Sequence, residues 1–295
     1  MNSNKLSYIF AGLTILFWGT AATAFKLSLQ HLNYMQLLAW ASLFSTVILL
    51  ITLTITGKLG TLKNIPRKEL YRSAFLGFTN PFAYYLIVFK AYELLPAQVA
   101  QPLNFIWPLV LVVLSVPLLG QKLSGRSLLA LLFSFFGVIL ISSQGKIDIF
   151  NQSNPLGIAL ALTSSIVWAL YWILNLKAKQ LDPIARLFLN FLFATFMAFA
   201  LGSFIPNFWE INAKGLIGAA YIGCFEMGIT FVLWLKALSL ASSTARIGNT
   251  IYLVPFVSLL FIGLILGEPI YWTTLAGLAV IVASIVFQQT KTQKG

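Results

Sequence analysis

Long apolar runs separated by short polar breaks repeat from one end of the chain to the other. Ten such runs can be drawn, approximately 8–28, 34–56, 70–90, 97–119, 126–144, 155–176, 184–205, 214–236, 245–266 and 270–289. About twenty apolar residues in a helix cross roughly 30 Å of hydrocarbon. Lipid offers no partner for backbone N–H and C=O groups, and barrel strands would be much shorter, so the runs predict helices. The breaks are too short to hold an inserted soluble domain. The expected fold is an all-α polytopic membrane protein of ten transmembrane helices.

The fourth run contains the most polar residues. Gln98–Lys122 reads QVAQPLNFIWPLVLVVLSVPLLGQK, with Gln101, Pro102, Asn104 and Pro108 near its start. The ninth run, within Thr244–Pro269, repeats it at a constant offset of 147: Pro108 matches Pro255, Gly120 matches Gly267 and Gln121 matches Glu268. Phe89-Lys90-Ala91 matches Leu235-Lys236-Ala237 at an offset of 146, which also pairs Asn80 with Glu226. Phe17-Trp18-Gly19 is echoed by Val167-Trp168-Ala169. That echo argues against reading the first run as a signal peptide, although Lys5 and Ala22-Thr23-Ala24 have the right character. A cleaved leader has no reason to share a pattern with a later span. Two repeats are expected, residues 1–146 and 147–295. Five spans is an odd number, so the second repeat enters the membrane inverted, an arrangement typical of secondary transporters.

Composition agrees with the pattern and charge adds orientation. Of 295 residues, 59% are hydrophobic and 9% charged, too few to cover a water-facing surface. The net charge of +12 is unevenly placed. With the N-terminus in the cytoplasm, fifteen Lys and Arg fall on cytoplasmic segments and four, Lys26, Lys90, Lys146 and Lys214, on outer ones. Both termini are therefore expected to be cytoplasmic, in a bacterial inner membrane. The positive charge faces anionic lipid and is not a nucleic-acid surface. One cysteine, Cys224, allows no intrachain disulfide, and with His31 the only histidine no metal site is expected.

Candidate chemistry lies where polar groups interrupt the runs. Gln101, Asn104 and Pro108 share a helical face with Trp107 beside them, and Asn249, Tyr252 and Pro255 nearly repeat that face. Proline frees backbone carbonyls that a water-filled cavity can accept. Asn104 and Asn249 can bind a polar solute or bond across helices, while Gln101 reads as interhelical glue. Glu226 lies mid-span in GCFEMGITF, where an ionised carboxylate is costly unless it faces a cavity or a partner. It could bind a substrate ammonium or pass a proton; the plainer reading is a neutral Glu bonded to a neighbouring helix. Lys90 and Lys236 end their spans, where a long side chain reaches the interface. Glu93 and Arg246 at neighbouring ends could close a gate. Trp18 and Trp168, deep and repeat-matched, either pack a symmetric core or line a cavity. Gly263/Gly267 and Gly215/Gly218 permit close helix approach, within the chain or in a homodimer. No nucleophile elbow, phosphate loop or paired ligand set occurs, so no enzyme activity and no cofactor are expected.

Together, the two five-span halves, Trp18-Gly19, and proline followed after twelve residues by Gly-Glu or Gly-Gln closing the fourth and ninth spans resemble the drug/metabolite transporter superfamily, in its EamA-type branch. Asn104-Phe-Ile-Trp107-Pro108 with Gly120-Gln121-Lys122 is similar to its bacterial aromatic amino acid exporter group. Gln121 departs from the Glu usual there. The resemblance implies a cavity lined by helices 1, 3, 4, 6, 8 and 9, with 5 and 10 peripheral. On this chain that means Trp18, Tyr84, Asn104, Trp107, Trp168, Glu226, Asn249 and Tyr252. It implies a carrier of small organic metabolites such as amino acids, most often an exporter though some members exchange or import solutes. The residues add the expectation of alternating access between the two halves, with proton coupling through Glu226 as an option. A channel or a non-transporting scaffold is the alternative, and an intramembrane enzyme a more distant one.

Overall fold

A computed structural model describes residues 3–120, 125–145, 154–176, 180–242, 247–248 and 250–289. Among these the chain is helical throughout, with no strand. The helices are α1 (Ser3–Leu29), α2 (Tyr34–Ile55), α3 (Arg67–Gly77), α4 (Tyr84–Leu94), α5 (Ala97–Asn104), α6 (Trp107–Leu119) and α7 (Gly125–Ser142), followed by α8 (Pro155–Leu176), α9 (Pro183–Gly202), α10 (Ala213–Tyr221), α11 (Thr230–Leu240), α12 (Val254–Phe261) and α13 (Trp272–Gln289). Six segments are long and apolar enough to cross a membrane: Ser3–Leu29, Tyr34–Ile55, Ala97–Leu119, Pro155–Asn175, Pro183–Gly202 and Ala213–Leu240. Apolar side chains point outward along these and along the shorter apolar helices, with Phe196 74% exposed, Leu264 74% and Ile217 71%. Such faces have no place in water and suit lipid.

α1, α2, α7, α8, α9 and α13 run unbroken, whereas the remaining spans are interrupted by π-helical or 3₁₀ turns or by proline. Between α3 and α4 lies a π-helical turn, Phe78–Ala83, with Asn80 in an extended conformation at φ −149° and ψ 124°. A second π-helical stretch, Ile222–Ile229, joins α10 to α11 and contains Glu226. The expected fourth span divides at Phe105-Ile106, where α6 restarts with Pro108 in its first turn. Pro255 likewise opens α12 after a 3₁₀ turn at Thr250–Leu253. Proline lacks an N–H and its ring collides with the preceding turn, so it is tolerated in a helix's first turn, where no intrahelical donor is needed. The shared face expected of Gln101, Asn104 and Pro108 is thus spread over two short helices rather than one.

Helix ends are built by recognisable chemistry. Gly120 and Gly267 close their spans at φ 69° and 66°, left-handed values that favour glycine. Asn33 and Gln36 form a reciprocal cap on α2. The Asp182 carboxylate accepts from Ile184 N and Ala185 N at the start of α9 and from Lys58 Nζ at 2.7 Å. Burial alone would push Asp182 up, but the hydrogen bonds from Lys58 and the two backbone N–H groups outweigh it and hold the carboxyl below the usual carboxylate range.

The packing is reciprocal. α1 packs on α11 and α12, while α8 packs on α4 and α6. α2 lies against the second π-helical stretch, and α9 against the first; α2 and α9 also pack on each other. α7 and α13 form a pair of their own, brought close by two glycines. A Cβ on Gly137 would meet Gly277 O at 2.8 Å and Ile281, and one on Gly277 would meet Gly137 O at 2.6 Å and Ile141. Gly215 and Gly218, open to a dimer reading in the sequence, lie against Leu32 and Ser28 of the same chain.

Candidate functional site

A cavity of about 560 Å³ lies where the broken helices meet α1 and α8. Trp18 of α1 stands beside Phe231 and Trp234 of α11, with ring centroids 5.8 and 5.9 Å away. Across from them Trp168 of α8 tilts onto Tyr84 at 4.6 Å and meets Phe231 edge-on at 5.8 Å. Trp107 and Trp172 add two further indoles to the wall.

Polar groups on this wall are held in place by partners. The π-helical stretch carries Glu226 onto the cavity, where it is 6% exposed. The Tyr85 hydroxyl lies 3.0 Å from each Glu226 oxygen and donates to the carboxyl. Asn104 accepts from Tyr84 Oη at 3.2 Å and donates from Nδ2 to Ser164 Oγ at 2.8 Å. Tyr92 donates to Gln101 Oε1, so Gln101 bonds across helices and faces the cavity as well.

Of the residues expected at the site, Trp18, Tyr84, Asn104, Trp107, Trp168 and Glu226 share this one cavity. Tyr252 is buried edge-on against Phe105, 6.2 Å away, and is not itself on the wall. The expectation for Asn249 falls outside the described residues, as do those for Gln121 and Arg246. Glu93 pairs with Lys90 on its own helix. Lys90 also sits over Tyr34, and Lys236 over Phe10, the structural duty expected of span-ending lysines. Sequence reading missed Tyr85, Ser164, Trp172 and Trp234. Trp172 lies four residues after Trp168 and Trp234 eight after Glu226, so helical spacing carried a signal for both. Tyr85 and Ser164 carried none, because their partners are 141 and 60 residues away.

The two ends of the cavity differ. At one end Ser7 Oγ donates to Ala237 O at 2.6 Å and Asn4 bonds Ser242. The lining residues Trp172, Leu238 and Gly248 lie toward that end. At the other, Lys26 Nζ donates to Tyr92 O at 2.8 Å and Leu95 O at 3.0 Å. There Glu268 accepts from Ala97 N at 2.9 Å and Gln98 N at 3.1 Å, capping α5 with a carboxylate. The Gln98 amide in turn donates to Pro269 O and accepts from Tyr271 N and Thr274 Oγ1. Phe25 meets Phe89 and Tyr92 edge-on at 4.9 and 5.3 Å below this clasp. Among the described residues no three metal-ligating side chains converge.

A cavity with these two unlike ends can be compared with known proteins. The model of the EamA-like transporter family matches residues 5–143 and again 155–288. The chain belongs to the EamA-like transporter family. An uncharacterized transporter of Archaeoglobus fulgidus is 26% identical over 94% of this chain and 96% of its own length. An uncharacterized protein of Pseudomonas aeruginosa is 30% identical over 68% of this chain and 67% of its own. The aromatic amino acid exporter YddG of Ancylobacter novellus is 24% identical over 60% of this chain and 65% of its own. A crystal structure covering 99% of this chain and 100% of its own superposes with a TM-score of 0.69 at 18% identity, which makes the fold common to both. As an EamA-like transporter the chain works on a small-molecule solute within a lipid bilayer.

Proposed function

We propose that this protein is a secondary carrier that exports small organic metabolites, amino acids or related compounds, across the inner membrane by alternating access. The observation that carries the reading is the cavity itself, lying between reciprocally packed helices with the Lys26 and Glu268 contacts at one end. A carrier needs a central site with one end shut at a time. On this reading the chain comprises two inverted five-helix repeats, residues 1–146 and 147–295, with both termini cytoplasmic. The π-helical turns that carry Asn80 and Glu226, the left-handed Gly120 and Gly267, and the mutual approach of Gly137 and Gly277 support it. On this reading the basic-residue count puts the Lys26 and Glu268 contacts at the outer end. The solute would sit among Trp18, Tyr84, Asn104, Trp107, Trp168 and Glu226, with Asn249 and Tyr252 beside them and a proton exchanged at Glu226. Amino acids are favoured by the name of the Ancylobacter relative.

The test is transport by purified protein in liposomes. The expected outcome is saturable solute uptake that accelerates when the vesicles are preloaded with unlabelled solute. Flux that rises linearly with concentration and ignores preloading would replace the carrier with a channel.

A further inference from the structure

A smaller pocket adjoins the central cavity, between α8, α9 and α11. Tyr171, Trp172, Asn175, Arg186, Phe231 and Trp234 are on its wall. Trp172 and Trp234 also line the central cavity, so these two indoles stand between the two spaces. Arg186 enters the pocket from the first turn of α9 and is half-buried. Among the described residues its guanidinium makes no hydrogen bond and no ion pair.

The charges around Arg186 do not balance it. Of the chain's seven carboxylates, only Glu69 and Asp182 act on it electrostatically. Both are committed elsewhere. Asp182 meets Lys58 Nζ at 2.7 Å and the backbone N–H groups of Ile184 and Ala185, and Glu69 lies 3.6 Å from Arg72. Arg72 acts on Arg186 as well, so among the described residues three cations face two carboxylates. A half-buried cation without a counterion is costly, and the start of a helix already favours an anion over a cation. A guanidinium presents its donors in a planar fork that fits a carboxylate two bonds at a time. Nearby, the Trp172 indole N–H is buried with no acceptor and Asn175 Oδ1 with no donor. The pocket therefore holds unmet hydrogen-bonding groups of both kinds, and its unmatched charge is positive.

We infer that Arg186 is the docking point for a carboxylate of the exported solute, at the cytoplasmic entrance to the central cavity. The carboxylate sits on the guanidinium, and an apolar body rests against Trp172 and Trp234, the indoles it must pass. This rests on the central cavity being the carried solute's site and on α9 starting at the cytoplasmic side. The rival duty of an arginine at a span end is to reach lipid headgroups. The position of Arg186 between three helices, on a wall shared with aromatic rings, favours the solute.

Three probes of one skeleton test it: 3-phenylpropanoate, phenylalanine and phenylalanine amide. Binding to the purified full-length protein in phosphatidylcholine nanodiscs is read from tryptophan fluorescence, and counterflow from proteoliposomes. Arg186→Gln is expected to weaken the two carboxylates at least about tenfold, the loss of one charged hydrogen-bonded pair, and to leave the amide unchanged. Arg186→Lys, which keeps the charge without the fork, should lose less, again on the carboxylates alone, and it carries the test if Arg186→Gln does not fold. Equal weakening of all three probes, no change in any, or no binding of either carboxylate to the wild type would each overturn the inference. So would phosphatidylglycerol in the nanodiscs abolishing the difference between wild type and Arg186→Gln, because the guanidinium would then belong to a lipid phosphate. Carboxylate-selective loss of binding without counterflow by any probe would keep the docking point and overturn the carrier. Counterflow of phenylalanine with an unchanged KM in Arg186→Gln would keep the carrier and overturn the docking point.

Discussion

Single residues carry the chemistry, and Glu226 is the one the sequence made plainest. A lone carboxylate in an apolar run is conspicuous because charge at membrane depth is costly without a partner. Its partner, the Tyr85 hydroxyl, is invisible in the same sequence, since nothing local ties two groups 141 residues apart. If Glu226 exchanges a proton during transport, Glu226→Gln cannot, and the variant's transport rate should lose its pH dependence. Unchanged pH dependence, measured in proteoliposomes across about two pH units around neutrality, would remove Glu226 from the proton step. Asp182 allows a separate titration outside the membrane-spanning segments. Its carboxyl is held low, so the stability it contributes is present above its unfolded value near about pH 4 and is lost as pH falls through the lower folded one. Asp182→Asn still caps α9 but loses the ion pair with Lys58, a half-exposed pair worth at most about 1 kcal/mol. Thermal melts should therefore separate the two proteins slightly near neutrality and bring them together below about pH 4.

At the scale of elements, apolar runs and glycine-terminated ends were legible in the sequence, and the internal breaks were only partly so. Gly120 and Gly267 end their spans in left-handed turns because a Cβ would be strained there, and their equal spacing from Pro108 and Pro255 announced it. Proline marked the restart of α6 and α12, but the π-helical stretches Ile222–Ile229 and Ile262–Leu266 have no composition that distinguishes them from α-helix. Phe78–Ala83 and Ile222–Ile229 carry the repeat-matched polar residues, Asn80 in one and Glu226 in the other, and π-helical turns often occur at functional positions. Also hidden was the duty of Glu268, whose carboxylate caps a helix 171 residues earlier in the chain. Removing a capping side chain costs about 1 kcal/mol. Glu268→Ala should then lower the melting midpoint in detergent by about 2–4 °C, with Glu268→Gln, which keeps one acceptor oxygen, falling between it and wild type. An unshifted midpoint would mean that the two backbone N–H groups find another acceptor, and that the clasp contributes nothing to closing this end.

The whole molecule is organised by reciprocity. α1 packs on α11 and α12 as α8 packs on α4 and α6, and the mutual approach of Gly137 and Gly277 is its own counterpart. On the carrier reading proposed above, two such halves around a central cavity would exchange roles by rocking, one end opening as the other closes. Such an exchange requires the halves to be inverted, and inversion requires an odd number of crossings in each. Orientation then follows from charge: basic residues concentrate on the loop containing Lys58, Lys63 and Arg67, and are sparse near Asn212. In a Cys224→Ala background, a cysteine at Asn212 should react with a membrane-impermeant maleimide in intact cells. One at Thr61 should react only after the membrane is permeabilised. Labelling of both in intact cells would place the two loops on one side of the membrane, break the odd count of crossings between them, and with it the inverted pair on which rocking depends.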